Sequence, residues 1–378
     1  AIIYTIASNQ VNAIRFMAAS RTLIIGTAGG EFTVTGGGDN NAITPTNIMI
    51  KKQSNHGAAN IDAVAVANAT LFVQRAKRKI RELAYNFDVD GYTAPDLTIL
   101  AEHVTEGGII EMAYQEEPLA IIWCVRNDGE LVALTYQREQ QVVAWHRHVF
   151  AGAFGSGNAV CESVAVIPTE DSEYELYMII KRTINGATKR YVEFLNTFDF
   201  DESDNTSFNF LDSQLSYSGS SATTISGLDH LEGQEVSILA DGATHPDKTV
   251  SSGSITLDRS ASDVKVGLGY TSLLKTMRID AGAQNGTSQA KTKRIYEVTA
   301  RLYESVGVEV VPDLNNMERV PFRTSANPMD QGIPPFTGDK EVEFRGDYDT
   351  DGFMIVRQTQ PLPLTILSLY PRLVTNDG

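Results

Sequence analysis

The chain has 378 residues, a length that accommodates one to three domains. Its hydrophobic content of 42% and charged content of 21% are ordinary for a soluble globular protein, and no apolar run is long enough to span a membrane. The formal net charge of −16 argues against binding of nucleic acid through bulk electrostatics, which requires a basic surface.

Residues 12–195 repeat one pattern of three strands four times. Each copy opens with an alternating strand, continues with a more apolar strand and ends with a third strand. The copies begin 49, 48 and 52 residues apart, with Asn12, Ile61, Ile109 and Cys161 as origins. The predicted strands are 12–17, 22–26 and 31–35 in the first copy, 61–66, 70–74 and 79–83 in the second, 109–114, 119–125 and 130–134 in the third, and 161–166, 176–180 and 189–194 in the fourth.

Regular spacing in this range is typical of propellers and other repeat arrays. The second strand of each copy is apolar on both faces, which predicts that it lies between two neighbouring sheets. Turn signals at 28–30, 127–129 and 185–186 separate the second strand from the third. We therefore predict an all-β fold, a β-propeller with blades of three to four antiparallel strands. The alternative is a β-sandwich in which the regular spacing arises by chance. Four copies with the same internal order of strands disfavour this alternative.

The chain divides into three predicted segments. Residues 1–213 hold the propeller blades, with outer strands at 47–52 and 142–148 and a short helix at 94–103. Residues 214–290 form a small inserted β domain with linkers, in which 216–226 is a Ser-rich loop and strands lie at 235–240, 254–258 and 264–267. Residues 291–378 return to the propeller, where strands at 293–303, 341–344, 353–356 and 364–370 build the last blade. The prolines around 364–370 mark that strand as an edge strand.

The sequence offers no catalytic, cofactor-binding or metal-binding residues. His146 and His148 fall on one face of a strand, but without a nearby Cys or third His a structural role is favoured over metal binding. Residues 347–352 resemble the opening of a calcium loop, yet Gln358 stands at the twelfth position and a polar turn is favoured. The weaker segment 88–91 is interpreted in the same way. The basic residues within 75–81 predict a solvated hairpin tip that can contact a phosphate backbone or an acidic neighbouring chain.

The two cysteines, Cys124 and Cys161, lie in predicted strands, which predicts buried free thiols. The first residues include no basic region followed by an apolar stretch, so the sequence does not open on a signal peptide.

Several segments together resemble the tail nozzle, or tail hub, proteins of short-tailed bacteriophages. These segments are 8–15, 25–31, 90–97, 142–148, 227–233 and 293–295. The resemblance covers nearly the whole chain and rests on structural segments rather than on a catalytic signature. It implies a β-propeller with inserted β domains that assembles as a sixfold ring.

The resemblance implies a structural function in the virion tail, with assembly in the host cytoplasm. The ring would extend the channel of the portal and the tail adaptor, anchor tail fibres or tailspikes, and let double-stranded DNA pass without sequence-specific binding during ejection. No cofactor and no membrane insertion are expected. An acidic channel suits such a conduit, because a polyanion then slides instead of binding. The alternatives are a propeller enzyme, a hydrolase or lyase of host surface polysaccharide, and an adaptor propeller that binds host peptides.

Overall fold

The computed structural model describes residues 3–6, 12–20, 22–37, 42–170, 173–198, 200–201, 203–280, 287–313, 319–328 and 331–376. The protein is all-β, with 57% of residues in strands and 3% in helices, and its strands form several small antiparallel sheets. In the described part of the chain, no helix is long and apolar enough to cross a membrane. The chain folds into two compact units: unit 1 comprises Ala1–Thr183 and Thr188–Thr197, and unit 2 comprises Ile184–Ala187 and Phe198–Gly378.

In the described residues of unit 1, strands that follow one another along the chain form four sheets of three or four strands and one two-stranded hairpin. Sheet 1 consists of β1 (Ile14–Ala19), β2 (Leu23–Thr27), β3 (Gly30–Thr35) and β4 (Met49–Ser54). Sheet 2 consists of β5 (Val64–Val66), β6 (Ala69–Val73), β7 (Ile80–Asn86) and β8 (Gly91–Thr93), with a short 3-10 helix at Phe87–Val89. Sheet 3 consists of β9 (Ile109–Gln115), β10 (Ile121–Arg126), β11 (Leu131–Gln137) and β12 (Val142–His148). The hairpin β13 (Ala153–Phe154) and β14 (Gly157–Asn158) precedes sheet 4, which consists of β15 (Val160–Pro168), β16 (Tyr174–Ile184) and β17 (Ala187–Leu195).

The four sheets stack face to face in chain order. One hydrophobic cluster joins sheets 1 and 2, a second joins sheets 2 and 3, and a third joins sheets 3 and 4. The second strands of sheets 2 and 3, β6 and β10, each contribute to two of these clusters. In β10, Ile122 and Cys124 face sheet 2, whereas Trp123 faces sheet 4. The prediction that the second strand of each copy lies between neighbouring sheets is confirmed for β6 and β10, whereas β16 is covered by a sheet of the stack on one face only and Ile179 on its other face is exposed.

The connection into each new sheet is fixed by the same backbone hydrogen bond. At the β2–β3 turn, the carbonyl oxygen of Thr27 accepts a hydrogen bond from the N–H of Ala58. At the β6–β7 turn, the carbonyl oxygen of Lys77 accepts one from Ile109, and at the β10–β11 turn that of Gly129 accepts one from Cys161. All three donor–acceptor distances lie between 2.7 and 2.8 Å. The repeat seen in the sequence is therefore also a repeat of contacts between sheets.

The described residues of unit 2 form three sheets. Sheet 5 has the order β18 (Asp212–Ser226), β21 (Ser254–Leu268), β19 (Glu235–Ala240) and β20 (Ala243–Thr249). Sheet 6 has the order β22 (Ser272–Lys275), β26 (Ile355–Gln358) and β24 (Glu309–Val311). Sheet 7 has the order β25 (Phe336–Glu343), β23 (Thr292–Ser305) and β27 (Thr365–Asn376). Short 3-10 helices lie at Asn205–Ser207 and Asp229–Leu231. One hydrophobic cluster contains side chains of both sheet 6 and sheet 7.

The predicted helix at 94–103 is wrong, because this segment consists of turns. The Asp96 carboxylate accepts hydrogen bonds from the backbone and hydroxyl of Thr98 and pairs with Lys79. These local bonds replace those that a first helical turn would make. Leu97, Ala101 and Val104 still reach the core between sheets 2 and 3, so the apolar spacing reflects burial without a helix.

Three predictions in the second half of the chain need correction. The Ser-rich segment 216–226 is part of β18, where it pairs with β21 and is interrupted by bulges. The predicted strands 254–258 and 264–267 are one continuous strand, β21. The strands predicted to build one last blade belong to two sheets, because 353–356 overlaps β26 in sheet 6 whereas the others lie in sheet 7. β27 is an edge strand as predicted, with Pro371 inside it.

Candidate functional site

His146 and His148 lie on one face of β12, as predicted, and contact each other. Nδ1 of His146 is 2.7 Å from Nε2 of His148, and Nε2 of His146 is 3.1 Å from the Thr135 hydroxyl. Both rings lie beside the buried Trp123, with ring centroids 6.2 and 5.1 Å away. Burial lowers the pKa of both histidines, that of His148 to about 4, with the neighbouring His146 as the second cause. The pair is thus part of the packing at the edge of sheet 3.

The basic hairpin tip between β6 and β7 divides into paired and unpaired cations. Lys79 forms ion pairs with Asp96 and Glu102, at 2.8 and 2.9 Å. Arg75, Lys77 and Arg78 are exposed and have no carboxylate partner within the described ranges. The tip therefore has the solvated character that the sequence predicts.

The carboxylate-rich segment 347–352 connects β25 to β26 and is fixed by its backbone. Lys293 and Asp349 exchange two backbone hydrogen bonds of 2.7 and 2.8 Å. The Asp351 carboxylate pairs with Arg278 at 3.0 Å. Across the described residues, no group of three or more His, Cys, Asp and Glu side chains has the arrangement of a metal site.

Cys124 and Cys161 are free and buried, which confirms the prediction from the sequence. Burial raises the pKa of the Cys124 thiol, and it raises the pKa of the Cys161 thiol to about 12. Both sulfur atoms therefore remain protonated near neutral pH, a state in which thiols are poor nucleophiles.

Two buried charged side chains were not singled out from the sequence. Arg182 is fully buried in β16, where Nε donates to the carbonyl oxygen of Ala151 at 2.9 Å and the guanidinium binds the Glu193 carboxylate with two hydrogen bonds. Glu31 is fully buried in β3, where it accepts a hydrogen bond from the Ser54 hydroxyl. Burial raises the pKa of Glu31, although that hydrogen bond opposes the shift.

Unit 2 contains a cavity of about 450 Å³ next to sheet 5, lined by His245, Arg259, Arg323 and the segment 331–333. Nε2 of His245 accepts a hydrogen bond from the backbone N–H of Asp258 at 2.9 Å. Arg259 and Arg323 donate to backbone carbonyl oxygens of Ala240 and Gln331. The polar groups at the cavity wall are thus largely engaged by the protein itself.

The segment 331–336 is held by contacts within the chain. The Asn205 amide donates to the carbonyl oxygen of Ile333 at 3.0 Å. Gly332 packs against Gly242 so closely that a Cβ atom would lie 2.3 Å from the Gly242 oxygen.

Sheet 4 has an apolar face that the chain leaves exposed. In β16, Leu176, Met178 and Ile180 enter the core with sheet 3, so the alternating side chains Tyr177 and Ile179 point to the opposite face. Val192 and Phe194 on the edge strand β17 are 74% and 55% exposed, and the Phe194 ring lies 5.9 Å from that of Tyr177. We call this surface the apolar face; it comprises Ile167, Ile179, Val192 and Phe194.

Sheet 7 has an exposed face of different composition. Leu369 and Leu373 in β27 pack against the core, whereas Tyr370 and Val374 lie on the other side and are exposed. Arg301 lies over the Tyr370 ring at 5.4 Å and pairs with Asp339 at 2.7 Å, and Arg372 pairs with Glu297 at 2.8 Å. We call this surface the tyrosine face; it comprises Tyr303, Leu367, Tyr370 and Val374.

Neither face was identified from the sequence, because exposed alternating residues resemble those of any half-buried strand. Among the segments that carry the resemblance, 8–15 falls partly outside the described residues. Comparison with protein-family models and with curated proteins finds no match to this chain.

Proposed function

We propose that this chain is a structural subunit of the tail nozzle of a short-tailed bacteriophage. Six copies form a ring in the virion tail that extends the channel of the portal and the tail adaptor. Double-stranded DNA passes through the ring during ejection, and tail fibres or tailspikes are anchored to it. The protein acts as a structural element rather than as an enzyme.

The observation that carries this proposal is the repeated stacking of sheets 1 to 4. Three equivalent hydrogen bonds, from Ala58, Ile109 and Cys161, join each sheet to the turn of the preceding one. Stacked meanders of this kind are the units from which propeller blades are built. We infer that the four sheets are blades that fan around a common axis, as the resemblance to tail nozzle proteins implies.

The charge of the chain supports the same proposal. At −16, the net charge repels a polyanion, which favours passage of DNA over binding. Charge of one sign also makes self-association costly, so a ring requires surfaces where charges are balanced. The apolar face satisfies that requirement, because Glu162 beside it pairs with Arg190 and Lys181.

Sedimentation equilibrium of the purified protein tests the proposal. We expect a particle with six times the 41.2 kDa mass of the chain. A monomer at all concentrations, or release of reducing sugar from host surface polysaccharide by the purified protein, would contradict it. The second result would favour the propeller enzyme.

A further inference from the structure

We propose that the subunits of the ring join head to tail, with the apolar face of one copy against the tyrosine face of the next copy. This inference rests on the proposed function, because it specifies which surfaces close the ring. The occupant of each face is therefore a second copy of this chain.

The stacking of unit 1 shows what kind of surface covers the apolar face. Sheets 2 and 3 each bury both faces against neighbouring sheets, through clusters that include Leu71 and Phe72 on one strand. Sheet 4 is covered on one face by sheet 3, while Val192 and Phe194 on its other face remain exposed. Another sheet is the surface that continues this pattern, since two sheet faces interdigitate their side chains at the contact.

Sheet 4 also has an open edge next to the apolar face. Sheets 1, 2 and 3 have four strands each, whereas sheet 4 has three within the described residues, ending at β17. An open edge strand with exposed apolar side chains favours association with another β-structure. In this chain the exposed side chains Val192 and Phe194 lie on that edge strand itself.

The tyrosine face has the composition of a recognition surface. Interfaces are enriched in Tyr and Arg, which combine a large contact area with a polar group. Tyr303 and Tyr370 are exposed, and Arg301 lies across the second of these rings. Leu367 is 59% exposed and supplies an apolar side chain at the same strand.

Both faces carry ion pairs, and the tyrosine face is the more acidic of the two because Glu341 and Glu343 lie on the same exposed side of β25 as Asp339. Beside the apolar face, Glu162 binds Arg190 and Lys181 at 2.6 and 2.8 Å. On the tyrosine face, Arg301 and Arg372 are each paired with a carboxylate. Ion pairing within each face lowers the like-charge repulsion between two copies, and the cations Lys181 and Arg190 beside the apolar face are available to the carboxylates of the tyrosine face.

The two faces differ from each other and lie in different units of the chain. A contact between two different surfaces is heterologous, and it produces a ring when the rotation between copies closes. A contact of one face with itself would produce only a twofold dimer. The presence of two unlike faces thus agrees with a ring of more than two copies.

Two variants and their mixture test the inference. Val192→Asp with Phe194→Asp removes the apolar face, and Leu367→Asp with Val374→Asp removes the tyrosine face. We expect each variant alone to be monomeric. Mixed in equal amounts, they are expected to form a one-to-one dimer, because one intact face of each kind remains. The matched control Phe87→Asp with Leu100→Asp, at residues 87% and 93% exposed, adds the same charge outside both faces and should keep the rings.

The outcomes separate this inference from the proposed function. Rings that persist in either variant, or a mixture that stays monomeric while circular dichroism shows both variants folded, would overturn the head-to-tail contact only. A wild-type protein that forms no ring would overturn the proposed function and the inference with it. If a variant loses its native spectrum, Phe194→Ser and Tyr370→Ser replace the double substitutions in the same mixing experiment.

Discussion

The backbone N–H of Ile109 donates a hydrogen bond of 2.7 Å to the carbonyl oxygen of Lys77, which joins the first strand of sheet 3 to the β6–β7 turn of sheet 2. Ile109 is fully buried, so this bond is shielded from water. Ala58 and Cys161 occupy equivalent positions at the entries to sheets 2 and 4. The hydrogen bond between Ile109 and Lys77 is therefore one instance of a contact that recurs between neighbouring sheets of the stack.

Hydrogen exchange tests whether these three contacts hold the stack together. We expect the amides of Ala58, Ile109 and Cys161 to exchange on the order of 100-fold more slowly than those of exposed turn residues, because opening them requires neighbouring sheets to separate. Gly155 and Gly186 provide the exposed comparison. Exchange of the three linker amides at the rate of these glycines would show that the sheets are not coupled there.

Replacing Glu31 by Gln is expected to stabilise the protein at neutral pH by about 1 kcal/mol. Removing the carboxylate from water on folding costs free energy that a neutral amide largely avoids. The pKa of Glu31 is raised above 4.5 in the folded state by burial, so the folded state favours the protonated form. Stability from this group is present below pH 4.5 and is lost as the pH rises through the higher folded value. The advantage of Glu31→Gln, measured by urea unfolding, should therefore grow with pH.

Glu130 is the matched control for Glu31, because the two residues hold the same position in the sequence repeat, at the predicted starts of the third strands 130–134 and 31–35. Its carboxylate accepts a hydrogen bond from Arg147 at 2.7 Å and lies 3.2 Å from Arg126. Glu130→Gln should destabilise the protein, in contrast to Glu31→Gln. A stabilising effect of both substitutions, or of neither, would contradict this assignment of the two environments.

The sequence predicts much of unit 1 because its repeat leaves little freedom. Apolar strands flanked by turn residues specify which side chains are buried, and Asn185–Gly186 is an observed turn with φ values of 48° and 71°. Asp241 and Gly242 form the turn between β19 and β20, and β20 is a strand that the sequence analysis did not predict. Pro246 and its charged neighbours lack the composition of a typical strand. They are accommodated in β20 because it is an edge strand of sheet 5, where proline is tolerated.

Contacts between distant segments are what the sequence could not specify. Strand β26 pairs with β22 and β24 rather than with its neighbours along the chain, so the last segment divides into two sheets. Such pairings depend on tertiary packing and carry no local signal. The apolar face was missed for a related reason: whether Val192 and Phe194 are covered depends on the number of sheets in the stack.

Replacing Glu193 by Gln is expected to cost about 3 kcal/mol of unfolding free energy, because it leaves the buried guanidinium of Arg182 without an opposite charge. The side chain of Arg182 is 0% exposed, so water cannot replace the carboxylate. Arg190→Gln in the solvated ion pair with Glu162 is the comparison, and it should leave the urea midpoint nearly unchanged. Equal losses of unfolding free energy in the two variants would contradict the claim that burial of Arg182 makes its ion pair more important than the solvated one.

His148 should make the protein less stable as the pH falls. Its pKa is lowered from 6.5 to about 4 by burial and by His146, so the unfolded chain binds a proton before the folded chain does. Between these values stability declines with a slope that approaches about 1.4 kcal/mol per pH unit for one proton. The stability difference between the wild type and His148→Asn should change across this range, and parallel pH profiles would contradict the assignment.

Electron microscopy of the purified protein at a resolution that separates strands tests the central claim most directly. We expect sixfold rings in which sheets 1 to 4 of each subunit fan around a common axis. Monomers in place of rings, or rings in which these four sheets do not share an axis, would contradict the account.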